Sequence, residues 1–150
     1  MTIEEQGAAF IQAIDGFFDV VRQRQVNLEL VFRKIMIDLF NAIVLATPVD
    51  TGQARAGWRL QGGGLDYSMT LSSEGDVTVN SQPSIVQNFR TGSIPGAPAQ
   101  VYRFENSVFH IVFLERGSSN QAPSGIVEVN LRRATARIDQ AIRAATRRNQ

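Results

Sequence analysis

Few side chains in this sequence could carry out chemistry, and they are widely spaced. The one histidine, His110, lies in an apolar run, and there is no cysteine. A transition-metal site would therefore need carboxylates alone, yet the acidic residues form no tight cluster. No serine stands in the Gly-x-Ser-x-Gly pattern of a nucleophile elbow. We therefore do not expect an enzyme, and we expect no metal and no cofactor.

Two other patterns superficially suggest catalytic sites. Gly62-Gly63-Gly64 lacks the following helix and lysine of a phosphate-binding loop, so we interpret it as a flexible turn. Glu105 and Glu115 flank a predicted hairpin and could approach each other, but nothing else indicates glycosidase chemistry. We interpret this acidic pair as surface charge.

The C-terminal end is the most basic part of the chain. Residues 131–150 contain six arginines and one acidic residue, whereas the first 130 contain nine basic and thirteen acidic residues. The six arginines lie on one half of a predicted helix, opposite its apolar residues: Arg132, Arg133, Arg137, Arg143, Arg147 and Arg148. Such a face can bind phosphates, stay solvated or pair with acids of another subunit. No recognition-helix module accompanies it, so we expect no sequence-specific DNA binding.

Length and composition indicate a single domain, residues 1–150, that is suited to protein contacts. Charged residues make up 19% of the chain, below the usual quarter or so, while 43% of the residues are apolar. A surface poor in charge is well suited to being covered by a partner. No apolar stretch approaches the roughly 20 residues that span a bilayer, and no secretory signal is visible. We expect synthesis in a cytoplasm and no membrane partner.

The N-terminal part of the chain is predicted to be helical. Thr2 to Glu5 forms a capping box, and an apolar stripe of helical spacing follows within a helical extension, residues 1–25. That stripe consists of Phe10, Ile14, Phe17 and Val21. Asn27 can cap a second helix, so we expect either two helices or one long bent helix, ending before Pro48.

This second helix is predicted to be apolar on two sides. One side carries Leu28, Phe32, Ile35, Leu39 and Ile43. Nearly opposite, at about 100° per residue, lie Leu30, Ile37 and Val44. A helix with two apolar sides must be covered twice. One cover is expected to be the sheet of the same chain, and the other is either a neighbouring subunit or another part of the same monomer.

The middle of the chain predicts short strands separated by loops. Short β segments are expected at residues 57–61, 67–71 and 77–80, and a long loop at 81–100, partly ordered by contact. Val101–Glu105 and Val108–Glu115 are predicted to form a hairpin around Asn106-Ser107, with the second arm as a central strand. An amphipathic helix over residues 124–147 is then expected to pack on the sheet. The predicted fold class is α+β, with an antiparallel sheet.

Two segments contain residues whose types suggest defined turns. The first is Ala46-Thr-Pro-Val-Asp-Thr-Gly-Gln-Ala-Arg-Ala-Gly-Trp-Arg59. There Pro48 ends the helix, Asp50 can accept hydrogen bonds from the following amides, Gly52 allows a sharp turn, and Trp58 anchors a strand.

The second segment is Phe113-Leu-Glu-Arg-Gly-Ser-Ser-Asn-Gln-Ala-Pro-Ser-Gly-Ile-Val-Glu-Val129. In it Glu115 is expected to pair with Arg55 or Arg59, and Gln121-Ala-Pro-Ser124 leads rigidly into the last helix. Both segments could instead simply define the fold, without forming a contact surface.

Together the two segments resemble the small tail-component family of long-tailed bacteriophages, which supplies neck, tail-completion and tail-terminator proteins. The likeness spans residues 30–140, with Arg116 standing where the family often has an aromatic residue and Ile126 where methionine is common. It is carried by these residues: Pro48, Asp50, Thr51, Gly52, Arg55, Trp58, Leu114, Glu115, Gly117, Ser119, Gln121, Ala122, Pro123 and Gly125.

The resemblance implies a structural protein of the virion, located at the head–tail junction. Its partners would be copies of itself in a ring, typically a hexamer, together with the head connector or adaptor and the tail tube or tail terminator. Genomic DNA would pass through the lumen without sequence-specific binding. The resemblance also leaves open a tail terminator that caps the tail tube. From other classes, the alternatives are a basic nucleic-acid-binding domain and a tail-assembly chaperone.

Overall fold

The computed structural model describes residues 2–48, 53–68, 83, 85–90, 100–108, 111–117 and 121–148. Five α-helices lie in this part of the chain: α1 (Ile3–Val21), α2 (Leu28–Ala46), α3 (Gln53–Ala56), α4 (Ile111–Glu115) and α5 (Val127–Arg148). A 3-10 turn, Arg22–Arg24, follows α1. The strands are β1 (Trp58–Gly62), β2 (Leu65–Ser68), β3 (Ile85–Arg90) and β4 (Val101–Asn106). The α+β fold class is confirmed.

The first two helices begin where their capping residues predict. The Thr2 hydroxyl accepts a hydrogen bond from the Glu5 amide at 3.1 Å, and the Glu5 carboxylate accepts one from the Thr2 amide at 2.8 Å. The Asn27 side chain accepts from the Leu30 amide at 3.3 Å and so caps α2. Helix α2 ends before Pro48, as predicted.

The four strands form one antiparallel sheet in the order β2-β1-β4-β3. Strands β1 and β2 are joined by the turn at Gly63 and Gly64, which confirms the predicted turn. Gly62 leads into it with φ +126°, and a Cβ there would collide with the Val101 carbonyl of β4. The turn therefore requires glycine both for its backbone conformation and for the close approach of β4.

The predicted hairpin around Asn106-Ser107 is wrong. Strand β4 pairs with β1 and β3, and residues 111–115 form helix α4 instead of a central strand. The Asn106 side chain donates to the Ala54 carbonyl at 2.8 Å and accepts from the Val108 amide at 2.9 Å. These bonds turn the chain out of the sheet directly after β4. His110 lies outside the described residues.

Strand β3 corrects the prediction of a loop over residues 81–100. Its six residues, Ile85–Arg90, pair with the whole of β4. The segment expected at 67–71 corresponds to β2 at Leu65–Ser68, and the one expected at 77–80 lies outside the described residues.

The three long helices cover one face of the sheet. Edge-to-face ring pairs join the two layers, with ring centroids 5.8 Å apart for Phe10–Phe89, 5.1 Å for Phe32–Tyr102 and 5.6 Å for Phe40–Phe104. Helix α1, expected as an extension, thus supplies core residues. Helix α5 lies along α1 and against α2, which completes the helical cover of the sheet.

The apolar face predicted for the last helix is confirmed. Its residues Leu131, Ile138 and Ala145 are buried in the structure. The helix begins at Val127, slightly later than predicted, because residues 121–126 form the turns that lead into it.

Candidate functional site

The first segment with family resemblance fixes the C-terminal end of α2 to the start of β1. The buried Thr47 hydroxyl donates to the Ile43 carbonyl at 2.7 Å and accepts from the Trp58 indole nitrogen at 2.8 Å. The Arg55 guanidinium donates to the carbonyls of Thr47 and Leu45, each at 3.0 Å. Arg55 therefore satisfies carbonyls that the end of a helix leaves unpaired.

Four residues of this segment, Val49, Asp50, Thr51 and Gly52, lie outside the described residues. The hydrogen bonds expected between Asp50 and the following amides therefore stay a prediction. Pro48 is buried directly after α2. The residues of the segment that the structure describes therefore stabilise the fold.

In the second segment, Glu115 caps the N-terminus of α5. One of its carboxylate oxygens accepts from the amides of Ile126 at 2.9 Å and Val127 at 2.7 Å, and the other accepts from the Glu128 amide at 3.0 Å. These three amides are among those that a helix leaves without internal partners. A carboxylate also suits the positive end of the helix dipole.

The expected pairing of Glu115 with Arg55 or Arg59 is therefore wrong. Arg59 instead forms an ion pair with Asp66 on the neighbouring strand, with a nitrogen–oxygen distance of 3.1 Å. The hydrogen bond to Asp66 raises the pKa of the Arg59 guanidinium. Sequence spacing did not reveal the partners of Glu115, because they are backbone amides that any residue type supplies.

The turns before α5 bring its N-terminus close to α4. Gly125 has φ +87°, and a Cβ there would lie 2.5 Å from the Glu115 carbonyl oxygen. Ala122 is buried, whereas Gln121 and Pro123 are exposed. Leu114 is half-buried within α4, and Gly117 follows this helix. The described residues of the segment therefore favour a fold-defining role. Ser119 lies outside the described residues.

The structure brings the two segments together at one cleft. Its volume is about 340 Å³. Residues of the first segment and the end of α2 form one wall, and residues of the second segment and α5 form the other: Leu45, Ala46, Thr47, Pro48 and Arg55, and Gln121, Ala122, Pro123, Ser124, Gly125, Val129 and Arg133. Neither Trp58 nor Glu115 lines this cleft.

Searches against protein-family models, curated proteins and solved structures returned no significant match. The resemblance to phage tail components therefore rests on the two sequence segments alone. It stays a prediction.

Part of the predicted second apolar side of α2 is exposed. Leu30 is 60% exposed and Ile37 is partly buried, but Val44 is only 6% exposed and so is covered by its own chain. Leu45, which the pattern did not single out, is 71% exposed. At about 100° per residue, Leu30, Ile37 and Leu45 fall on one side of the helix. We call these three residues the α2 outer stripe.

The arginine face predicted for α5 is at the surface. Within the described residues, five arginine side chains of this helix are exposed and take part in none of the ion pairs found there: Arg132, Arg133, Arg137, Arg143 and Arg147. Arg148 ends the helix. The face is thus free to meet a partner.

The described residues contain no group of three or more His, Cys, Asp or Glu side chains that could hold a metal ion. Among their helices, none combines the length and apolar character needed to cross a membrane.

Proposed function

We propose that this chain is a structural, non-enzymatic subunit of a bacteriophage virion. It forms a homo-oligomeric ring at the head–tail junction, joins the head connector to the tail, and lets DNA pass through the lumen. The observation that carries the proposal is the exposed α2 outer stripe, taken together with the two segments that resemble tail components.

The α2 outer stripe is long enough to contact a neighbouring subunit. Leu30 and Leu45 lie fifteen residues apart on one helix, a distance of about 22 Å. Both leucines are more than half exposed. Covering them would contribute about 2–4 kcal/mol per subunit, a term that recurs at every contact of a ring.

The cleft between the two segments offers a second surface for a neighbour. The exposed Leu45 belongs both to its wall and to the α2 outer stripe, so the two surfaces are continuous. A neighbouring subunit or the head connector can therefore cover both at once.

DNA passage constrains where the arginines of α5 lie. A dense arginine lining would hold the phosphate backbone, whereas neutral or acidic walls let DNA slide. In this proposal the arginine face of α5 points outward or toward a protein neighbour.

Particle composition tests the proposal. Mass spectrometry of purified virions is expected to find the chain in stoichiometric amounts. Its absence from finished particles would favour a tail-assembly chaperone. A tail terminator would also be present, but cross-linking would join it to the tail tube and not to the connector.

The exposed arginines of α5 favour one candidate from another class, a basic nucleic-acid-binding domain. This alternative predicts tight DNA binding by the isolated chain that weakens steeply with added salt. The structural role predicts little binding at physiological salt.

A further inference from the structure

Helices α1 and α5 carry opposite charges. Helix α1 contains four acidic residues, Glu4, Glu5, Asp15 and Asp19, and no basic residue. Helix α5 contains six arginines against two acidic residues, Glu128 and Asp139. Their formal charges are therefore −4 and +4, so each helix is electrostatically suited to the other.

The charges also share one spacing. Along α1, Glu4, Asp15 and Asp19 are separated by eleven and then four residues. Along α5, Arg132, Arg143 and Arg147 are separated by the same intervals. At about 100° per residue, each trio falls within an arc of about 60° and spans about 22 Å. We call these trios the α1 acidic stripe and the α5 arginine stripe.

The residues between the charges match as well. The middle of the α1 acidic stripe holds Ala8 and Gln12, and the middle of the α5 arginine stripe holds Ala136 and Gln140. All four are exposed. Small alanines let two helices approach closely, and facing glutamine amides can donate and accept hydrogen bonds across the contact.

We propose that the α5 arginine stripe of one subunit docks in parallel on the α1 acidic stripe of a second copy. This contact deepens the proposed ring and rests on it. Because the intervals of eleven and four are not symmetric, only a parallel arrangement aligns Glu4 with Arg132, Asp15 with Arg143 and Asp19 with Arg147. The contact joins different surfaces of the two copies, and such a contact generates a ring when its rotation closes.

Among the ion pairs of the described residues, none joins the α1 acidic stripe to the α5 arginine stripe. Helices α1 and α5 of the same molecule pack through other residues, and Gly16 lies close to the Ile142 side chain. Asp19 pairs locally with Arg22 at 2.8 Å, an exposed ion pair that can exchange for a new partner at little cost. Asp15 also has an interaction within its own chain, so Glu4 and Asp19 carry most of the attraction.

A carboxylate partner fits this surface better than a phosphate backbone. The whole chain has a formal charge of only +1, and its own α1 repeats the arginine spacing in acidic residues. The planar guanidinium forms two parallel hydrogen bonds to a carboxylate, which makes such pairs geometrically selective.

Two charge-reversed variants test the contact. One carries Glu4→Lys with Asp19→Lys, and the other carries Arg132→Glu with Arg147→Glu. Native mass spectrometry at low salt is expected to show association of the wild-type chain and at least a roughly tenfold weaker association of each variant alone. An equimolar mixture of the two variants is expected to recover the assembly, because each then presents a complementary stripe to the other.

A matched control distinguishes the effect of the arginine spacing from the effect of the net charge of α5. Arg137→Glu with Arg148→Glu changes the charge of α5 equally, leaves the α5 arginine stripe intact and alters no residue that lines the cleft. This control is expected to retain most of the association. Equal loss in the control and in the Arg132/Arg147 variant would overturn the proposed alignment. Should a double variant fail to fold by circular dichroism, the single variants Glu4→Lys and Arg132→Glu are mixed in the same way.

The outcomes distinguish this contact from the proposed function. An oligomer that withstands both reversals overturns the contact but leaves the subunit role in place. A wild-type chain that stays monomeric at low salt and high concentration also overturns the contact. Loss of DNA binding in the arginine variant, with unchanged assembly, would assign the stripe to nucleic acid instead. Absence of the chain from virions would remove the subunit role itself.

Discussion

The Glu115 carboxylate accepts a hydrogen bond of 2.7 Å from the backbone amide of Val127, the first residue of α5. It thereby joins α4, which follows the last strand, to the helix that carries the arginines. Glu115 thus fixes the start of α5, while the packing of this helix along α1 and against α2 holds the rest of it in place. The segment around Glu115 is also one of the two that resemble tail components, so it links the fold to the proposed assembly.

Removing the charge of Glu115 is expected to destabilise the protein. Glu115→Gln weakens the charge-assisted bonds to three amides and should lower the free energy of unfolding by about 1–3 kcal/mol. Urea denaturation followed by circular dichroism measures this. Glu128→Gln is the matched control, since Glu128 lies in the first turn of α5 and should contribute only about 0.3–1 kcal/mol through the helix dipole. Equal effects of the two substitutions would contradict the capping role.

The Thr47 hydroxyl is expected to matter for its hydrogen bonds. Thr47→Val leaves the buried Trp58 indole N–H without its partner and should cost about 1–3 kcal/mol. Thr47→Ser keeps the hydroxyl and should cost less. Trp58 is the one tryptophan of the chain, so its fluorescence reports unfolding directly. If valine proved no more destabilising than serine, the hydrogen bond between Trp58 and the Thr47 hydroxyl would contribute nothing to stability.

In the turn between β1 and β2, alanine is expected to be tolerated better at position 64 than at position 62. In Gly62→Ala the new Cβ would stand at a positive φ and collide with the β4 backbone. Backbone strain and the displacement of β4 together should lower the free energy of unfolding by more than about 2 kcal/mol. Gly64→Ala has a positive φ but nothing within 4 Å of the added Cβ, so about 1 kcal/mol is expected. Denaturant midpoints of the two variants provide the comparison, and the reverse order would argue against the β1–β4 packing.

Stability is expected to fall at high pH because of Tyr102. Burial raises the pKa of this phenol in the folded chain, while in the unfolded chain it ionises near about pH 10. The unfolded state therefore loses its proton first, and stability that is complete below about pH 10 declines as the pH rises further. Unfolding measured across this range should show a shallower decline for Tyr102→Phe. The exposed Tyr67 is the control, and Tyr67→Phe should leave the decline unchanged.

Local signals in the sequence were sufficient to predict the starts of the first two helices, but not α3 or α4. Thr2, Glu5 and Asn27 predict the starts of α1 and α2 because capping depends on residues only three positions away. The strands were harder to predict. The apolar run after Asn106 has no alternation, and such a run does not distinguish a buried strand from a helix. The Asn106 side chain donates a hydrogen bond to the Ala54 carbonyl, fifty-two positions away, and so turns the chain out of the sheet. Such a long-range contact is not visible in the local pattern.

Strand β3 was missed because its inward side is interrupted by a polar residue. Ile85 and Phe89 point to the core, but Gln87 lies between them and is also buried. In the described part of the chain its side-chain oxygen has no hydrogen-bond partner. The role of Glu115 was missed for a related reason, since its partners are backbone groups brought near by the fold.

Cryo-electron microscopy of the virion tests the central claim most directly. The account predicts a ring of this chain at the head–tail junction, with Leu30 and Leu45 covered by protein and the α5 arginines directed away from the lumen. A junction without this chain would contradict the account. So would a ring in which Leu30 and Leu45 face solvent while the arginines of α5 line the DNA channel.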